Sequence, residues 1–175
     1  MKIQIIGYSG SGTSTLAAAL GRICGVPVLH LDTVKFYGNW QERSEEEQTA
    51  TVERFLAENE GWVIDGNYTA IAPERFAQSD MTVYMNFNRV VCFLSAWRRY
   101  RKYRGRARGS CPCPEKFDKE FRRWVWRDGR TAARKQKHME NLRRTSGAQV
   151  ILKNRRQANR FLKDFEKKYG ENSPR

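Results

Sequence analysis

The chain contains no apolar run of the roughly 18 residues that a membrane-spanning helix needs. An apolar strand pattern at residues 2–6 begins almost at the first residue, which leaves no room for a secretory signal before it. Both absences argue against export and against membrane insertion. We therefore expect a cytoplasmic protein with no membrane partner.

Histidine and cysteine are scarce, with two and four residues respectively in a chain of 175. The one close cysteine pair, Cys111 and Cys113, lacks both the two-residue spacing and the second ligand pair that are typical of a zinc site. A structural disulfide is also disfavoured in a reducing cytosol. The composition therefore predicts neither a zinc site nor a disulfide framework.

Acidic residues are the third deficit. The chain has 33 Lys plus Arg against 19 Asp plus Glu, a formal net charge of +14. Most of the excess follows Arg89, whereas residues 42–60 are acidic. A basic surface attracts phosphate, which is carried either by a small nucleotide or by a nucleic-acid backbone. Composition alone leaves both partners open.

Short apolar strand patterns alternate with helical patterns, which is typical of an α/β fold with a parallel sheet. The predicted strands are residues 2–6, 27–31, 62–64, 81–87 and 149–152. The predicted helices are residues 13–24, 44–59, 89–103, 118–145 and 155–169. We expect three layers, with a five-stranded parallel sheet between helices.

One segment breaks the alternation. Residues 104–117 are rich in Gly, Arg and Pro, which predicts a loop and, in a phosphate-binding protein, a lid. We expect a single domain over residues 1–170, with a helical, Arg-rich lid at about 98–130. Residues 171–175 are predicted to form a flexible tail.

A glycine-rich segment links the first predicted strand to the first predicted helix. Its sequence, GYSGSGTS from Gly7 to Ser14, has the context of a P-loop, in which backbone N–H groups and a helix N-terminus bind phosphate. The Ser14 hydroxyl occupies the position expected to coordinate Mg²⁺. The residues predicted to bind the nucleotide are Gly7, Tyr8, Ser9, Gly10, Ser11, Gly12, Thr13, Ser14 and Thr15.

One position departs from this motif. Thr13 stands where a P-loop has the lysine that reaches the β- and γ-phosphates. Loss of a comparable contact costs about 2–4 kcal/mol, or two to three powers of ten in rate. Three alternatives are open: a variant that compensates, a nucleotide binder with little catalysis, or a deliberately disabled variant. Lys35 and the lid arginines are candidates for the missing charge.

Two carboxylates end predicted strands, where ligands of open parallel sheets bind. We assign Asp65 to Mg²⁺, and Asp32 to acceptor binding or general-base catalysis. The alternative for each is a structural cap on the following turn. Asn67 and Tyr68 are candidates to line an acceptor pocket, whereas His30 is predicted to be a core residue.

Arginines recur throughout the predicted lid. Guanidinium groups suit phosphate because their donors match its oxygens two at a time and their charge is permanent. Most of these arginines must form a solvated basic face. As the catalytic subset that faces the site, we predict Arg98, Arg99, Arg123 and Arg127.

Several segments, in order along nearly the whole chain, resemble a single family. They are IIGYSGSGTSTLA, PVLHLDTVKF, GWVIDGNY, FNR, YRGRAR, CPEKFD and VILKNRRQANRFL. They are similar to the adenylate-kinase-related DNA topology modulation proteins (FlaR type). This resemblance implies a P-loop kinase fold with ATP and Mg²⁺ as ligands, and its members carry lysine where Thr13 stands. HLDTVKF is also similar to nucleoside and nicotinamide riboside kinases, where the residue matching Asp32 serves the acceptor hydroxyl.

Three functions follow from these features. The first is ATP-dependent phosphoryl transfer to a small metabolite or nucleotide of unknown identity. The second is a DNA-associated regulatory or topology-modulating protein that binds through its basic face. The third is an inactive relative retained for assembly or regulation. We rank the kinase first because a DNA-binding protein needs no combination of P-loop, strand-end carboxylates and arginine lid. The oligomeric state stays open.

Overall fold

The computed structural model describes residues 1–170. The strands are β1 (Lys2–Gly7), β2 (Val28–His30), β3 (Phe36–Gly38), β4 (Gln41–Glu42), β5 (Trp62–Asp65), β6 (Met81–Met85) and β7 (Ala148–Leu152). The helices are α1 (Thr13–Cys24), α2 (Leu31–Lys35), α3 (Glu45–Glu58), α4 (Arg75–Gln78), α5 (Arg89–Tyr103), α6 (Lys119–Trp126), α7 (Ala132–Arg143) and α8 (Arg155–Tyr169).

Five strands form a parallel sheet in the order β2-β5-β1-β6-β7. Strand β5 shows why the strands of this sheet are almost entirely apolar. Val63 packs in the larger hydrophobic core, whereas Trp62 and Ile64 pack with Val52 of α3 in a second core. The sheet is therefore covered on both faces, as expected for parallel strands. The predicted α/β fold with a five-stranded parallel sheet is confirmed.

Local capping explains why several helix bounds were predictable. Ser44 and Glu47 form a capping box at the start of α3. Asn88 caps α5 by accepting a hydrogen bond from the Val91 N–H, and Asn154 caps α8 in the same way from Gln157. These caps satisfy backbone donors that the first helical turn leaves free.

The predicted helix at residues 118–145 is wrong as a single element. Helix α6 ends at Trp126, a 3₁₀ turn follows at Asp128–Arg130, and α7 begins at Ala132. The turn packs closely, because a Cβ at Gly129 would lie 2.9 Å from the Trp124 carbonyl oxygen. Thr131 then caps α7, so the chain starts a new helix there.

The predicted strand at 27–31 ends one residue early, at His30. Helix α2 and the antiparallel hairpin β3–β4 follow. The two residues between β3 and β4, Asn39 and Trp40, both have positive φ angles of 46° and 63°. This pattern is typical of a type I′ turn, in which Asn is common and Trp is not. Residues 39–40 therefore contain no clear hairpin signal.

Within residues 1–170, no helix has the length and apolar composition needed to cross a bilayer. The predicted lid spans the end of α5, the following loop, α6 and the 3₁₀ turn, and its movement stays a prediction. The predicted flexible tail at 171–175 lies outside the described residues.

Candidate active site

The P-loop lies between β1 and α1, at the carboxyl edge of the sheet. Gly10 and Gly12 have φ angles of 84° and 99°, a left-handed conformation that favours glycine. A Cβ at Gly10 would lie 2.2 Å from the Cys92 carbonyl oxygen, so the loop packs directly against α5. At Gly12 a Cβ would meet only the Met85 methyl group, at 3.9 Å. The turn is thus closed on the α5 side and open at Gly12.

One cavity of about 1050 Å³ is lined by all the P-loop residues, Gly7–Thr15. It extends along the carboxyl edge of the sheet in two directions. Toward β7 it is lined by Ala158, Asn159 and Leu162 of α8. Toward β2, which forms the opposite edge of the sheet, it is lined by Asp32 and Tyr68. A ligand in the P-loop and a second ligand beside Asp32 would therefore share one cavity.

Asp65 is the last residue of β5 and is only 6% exposed. His30 ends the neighbouring strand in register with it, and the His30 Nδ1 lies 3.0 Å from the Asp65 Oδ2. His30 is therefore a partly buried residue whose ring nitrogen is paired, and its place beside Asp65 brings it to the site. The pairing depends on strand register, which the sequence pattern did not reveal.

Asp32 was expected to end the second strand, but it lies in the first turn of α2, two residues beyond the end of β2. The Tyr68 hydroxyl donates a 2.7 Å hydrogen bond to its Oδ1. Burial raises the pKa of the Asp32 carboxyl, the hydrogen bond from Tyr68 opposes that rise, and the nearby charge of Asp65 adds to it. Burial also raises the pKa of the Tyr68 phenol, so this group stays protonated and donates.

The Asp32 end of the cavity carries a group of two arginines and one carboxylate. Arg99 of α5 and Arg108 of the following loop both pair with the Glu115 Oε1, at 2.9 Å and 2.5 Å between Nε and oxygen. Glu115 is buried, and both arginines line the cavity. Two guanidinium groups on one carboxylate leave a net positive charge beside Asp32.

Of the four arginines predicted to be catalytic, Arg99 lines the cavity and the other three do not. Arg98 lies exposed on α5. Arg123 and Arg127 pair with Asp128, at 2.7 Å and 2.9 Å. Arg123 and Arg127 were predicted to face the site on the assumption of one continuous helix over residues 118–145. The break after α6 changes which side chains face the P-loop. The arginines that line the cavity are Arg43, Arg99, Arg108, Arg130, Arg134 and Arg155.

Two residues of the predicted lid touch the P-loop. The Trp124 Nε1–H donates a 3.3 Å hydrogen bond to the Ser9 hydroxyl. The guanidinium carbon of Arg130 lies 4.0 Å from the centre of the Tyr8 ring. The end of α6 and the 3₁₀ turn therefore lie over the phosphate-binding loop.

The donor set at the P-loop suits Mg²⁺. The Ser14 hydroxyl and the Asp65 carboxylate both line the cavity, and Mg²⁺ prefers hard oxygen ligands, usually with several waters retained. Within residues 1–170, no three His, Cys, Asp or Glu side chains are grouped as in a metal site built by protein alone. The residues thus fit an ion that is shared with nucleotide phosphates.

His138 of α7 is buried against the P-loop, with its ring 5.5 Å from that of Tyr8 and 5.1 Å from that of Tyr84. Its Nδ1 has no hydrogen-bond partner. Burial, together with the positive charges of Arg134 and Lys137, lowers the pKa of His138 to about 4. The folded protein therefore holds this imidazole neutral.

Acid should destabilise the fold through this residue. The folded-state pKa lies below the unfolded value of about 6.5, so stability is complete above that pH and is lost as pH falls toward 4. The loss should reach about 3 kcal/mol. Urea unfolding at pH 7 and pH 4.5 measures it. The variant His138→Phe, which keeps a ring, should lose clearly less stability over the same interval; an equal loss would contradict this assignment.

Comparisons with known proteins identify the fold. No family model matches the chain. A curated relative, the uncharacterized protein YqaC of Bacillus subtilis (strain 168), is 34% identical over 88 residues, and the match spans 47% of each chain, about half of that relative's length.

Solved structures are similar over nearly the whole chain. Shikimate kinase from Acinetobacter baumannii, in complex with shikimate, is 14% identical with a TM-score of 0.60, covering 99% of this chain and 95% of the other. Shikimate kinase from Bacteroides thetaiotaomicron is 18% identical with a TM-score of 0.56, covering 95% and 97%. Deoxyadenosine kinase from M. mycoides is 12% identical with a TM-score of 0.50, covering 95% and 100%. The chain therefore has a P-loop kinase fold.

Proposed function

We propose that the chain is an ATP-dependent small-molecule kinase. The observation that carries this proposal is the single cavity that joins the P-loop to Asp32 and Tyr68. The three solved structures described above are named as kinases of small molecules, which supports the reaction class. The motif resemblance further supports a place among the adenylate-kinase-related proteins of the FlaR type.

The donor nucleotide would bind with its phosphates in the P-loop. Backbone N–H groups and the N-terminus of α1 supply the contacts, since Gly12 leaves the turn open. Mg²⁺ would be held by the Ser14 hydroxyl and the Asp65 carboxylate. It would neutralise charge on the transferred phosphoryl group. His30 orients Asp65 through the 3.0 Å contact.

The acceptor hydroxyl would bind beside Asp32. The carboxylate takes the hydroxyl proton as the new oxygen–phosphorus bond forms and the bond to the leaving nucleotide breaks. A pKa raised by burial makes Asp32 a better base, and the hydrogen bond from Tyr68 holds its orientation. Arg99 and Arg108 offer positive charge to an anionic group on the acceptor.

Acceptor-dependent ADP formation tests this proposal. A panel of hydroxyl-bearing metabolites, including shikimate, gluconate and nucleosides, is supplied with Mg·ATP, and ADP release is measured by a coupled assay. We expect at least one compound to stimulate release well above the rate without acceptor. Binding of Mg·ATP without stimulation by any chemical class of acceptor would argue for a nucleotide-binding protein with little catalysis.

The DNA-associated alternative is favoured by exposed aromatic side chains on α5 and at the end of α6. Trp97 and Trp126 are 40% and 44% exposed. Arg101 lies 5.1 Å from the Trp97 ring, and Arg89 lies 5.8 Å from the Trp126 ring. Exposed rings beside arginines suit single-stranded nucleic acid, in which bases stack and phosphates pair with cations.

If this surface binds nucleic acid, the double variant Trp97→Ala/Trp126→Ala should bind an oligothymidylate about 10- to 100-fold more weakly at low salt. Fluorescence anisotropy measures the affinity. The variant Leu94→Ala serves as the control, because it removes a side chain of α5 that is 44% exposed but has no aromatic ring. Failure of the unmodified protein to bind at low salt would exclude this alternative.

A further inference from the structure

The P-loop of this chain has no charge at Thr13, although its cavity is rich in cations. The cationic side chains that line the cavity are Lys35, Arg43, Arg99, Arg108, Lys116, Arg130, Arg134, Lys137 and Arg155. Several are already engaged elsewhere. Lys35 pairs with Glu42 at 3.2 Å, and Arg155 donates to the Ser95 hydroxyl at 2.7 Å. Arg99 and Arg108 pair with Glu115 at the Asp32 end.

Arg130 is the cation that contacts the P-loop itself. Its guanidinium lies 4.0 Å from the centre of the ring of Tyr8, the residue that follows the first P-loop glycine. The Nε donates to the Val125 carbonyl at 2.9 Å, and the Nη1 donates to the Phe87 carbonyl at 3.0 Å. These bonds to α6 and to the segment after β6 fix the guanidinium at the wall of the phosphate site.

The positive charge of Arg130 is not neutralised by the described residues. No ion pair among residues 1–170 includes it. The nearest acidic residue in sequence, Asp128, is bound by Arg123 and Arg127. The Arg130 Nη2 is buried and has no hydrogen-bond partner. A buried donor without a partner calls for an explanation, and an anionic oxygen in the P-loop would provide one.

We propose that Arg130 replaces the missing P-loop lysine and binds the β- and γ-phosphates of the nucleotide. This inference rests on the proposed function. Arg130 reaches the loop from the 3₁₀ turn, so the charge comes from a different element but acts at the same phosphates. The two carbonyl bonds leave the Nη2 for phosphate, and guanidinium suits phosphate oxygens. The exposed pair Arg123 and Arg127 then acts indirectly, by keeping Asp128 away from Arg130.

A double-mutant cycle between positions 13 and 130 tests the replacement. The affinities of the unmodified protein, Arg130→Gln, Thr13→Lys and the double variant are measured by displacement of a fluorescent ATP analogue. We expect Arg130→Gln to bind Mg·ATP about 10- to 100-fold more weakly. AMP, which lacks the β- and γ-phosphates, should lose less than about threefold. Thr13→Lys in the Arg130→Gln background should restore most of the Mg·ATP affinity.

Arg134→Gln is the matched control. Arg134 also lines the cavity, but it stacks on Trp124, 4.3 Å from that ring, and not on the P-loop. Its loss should change Mg·ATP affinity less than about threefold. Equal affinity of Arg130→Gln and the unmodified protein would overturn the inference while leaving the proposed function intact. Failure of the unmodified protein to bind Mg·ATP would overturn both.

A second measurement tests the inference even if the Arg130→Gln variant does not fold. The Nε–H signal of Arg130 in the unmodified protein, assigned by its absence in Arg130→Lys, is followed by NMR during titration. We expect Mg·ATP to shift this signal and AMP to leave it nearly unchanged. An Arg130 Nε–H signal that does not shift at saturating Mg·ATP would overturn the inference.

Discussion

Replacing Gly12 by valine should weaken Mg·ATP binding by at least 100-fold. Gly12 has a φ of 99°, which a β-branched residue adopts only at a cost of about 1–2 kcal/mol or more. Its Cβ position meets only Met85, at 3.9 Å, so the fold has room for the new methyl groups. The valine methyl groups would occupy the open side of the P-loop and block the binding of phosphate. Calorimetric titration with Mg·ATP measures the loss.

The matched control for this substitution is Gly105→Val. Gly105 has a similar φ of 67° but lies in the loop after α5, with no atom within 4 Å of a Cβ. It should suffer the same backbone strain and keep its affinity for Mg·ATP. Thermal unfolding of both variants separates strain from blocked binding. Retained affinity in Gly12→Val would show that phosphates do not bind at this loop.

Replacing Asp32 by asparagine should lower kcat by about 10²- to 10⁴-fold, because the amide cannot accept the acceptor's proton. The amide oxygen still accepts the hydrogen bond from Tyr68, so KM for the acceptor should change little. Steady-state kinetics with the acceptor found in the screen measure both quantities. Asp128→Asn is the control, since that carboxylate pairs with Arg123 and Arg127 outside the cavity.

The assignment of Asp32 as the general base also predicts how kcat/KM depends on pH. A general base acts in its ionised form, so kcat/KM should fall as pH drops through the pKa of Asp32. Burial raises that pKa, which places the acid limb above the ordinary value for an aspartate. The limb should disappear in the residual activity of Asp32→Asn. An unchanged kcat in that variant would assign Asp32 to a structural role.

The sheet and most helices could be predicted because local signals agreed with the final packing. Helices α1, α5 and α8 begin and end at the predicted residues, since each has a periodic apolar face and a defined cap or turn at its start. The P-loop followed from glycine spacing between a strand and a helix. These features depend on neighbours in sequence, which a pattern shows directly.

The lid arginines could not be chosen from the sequence, because their directions depend on one local break. The tight packing of Gly129 against Trp124 ends the helical phase and turns Arg130 toward Tyr8. The pairing of His30 with Asp65 likewise depends on strand register. Contacts of this kind join distant parts of the chain, and periodicity contains no record of them.

The central claim is that this P-loop binds nucleotide although Thr13 replaces its lysine. Calorimetric titration of the unmodified protein with Mg·ATP, with Gly12→Val and Thr13→Lys alongside, tests it most directly. We expect micromolar binding by the unmodified protein and by Thr13→Lys, and none by Gly12→Val. Binding by Thr13→Lys alone, or by none of the three, would contradict the claim.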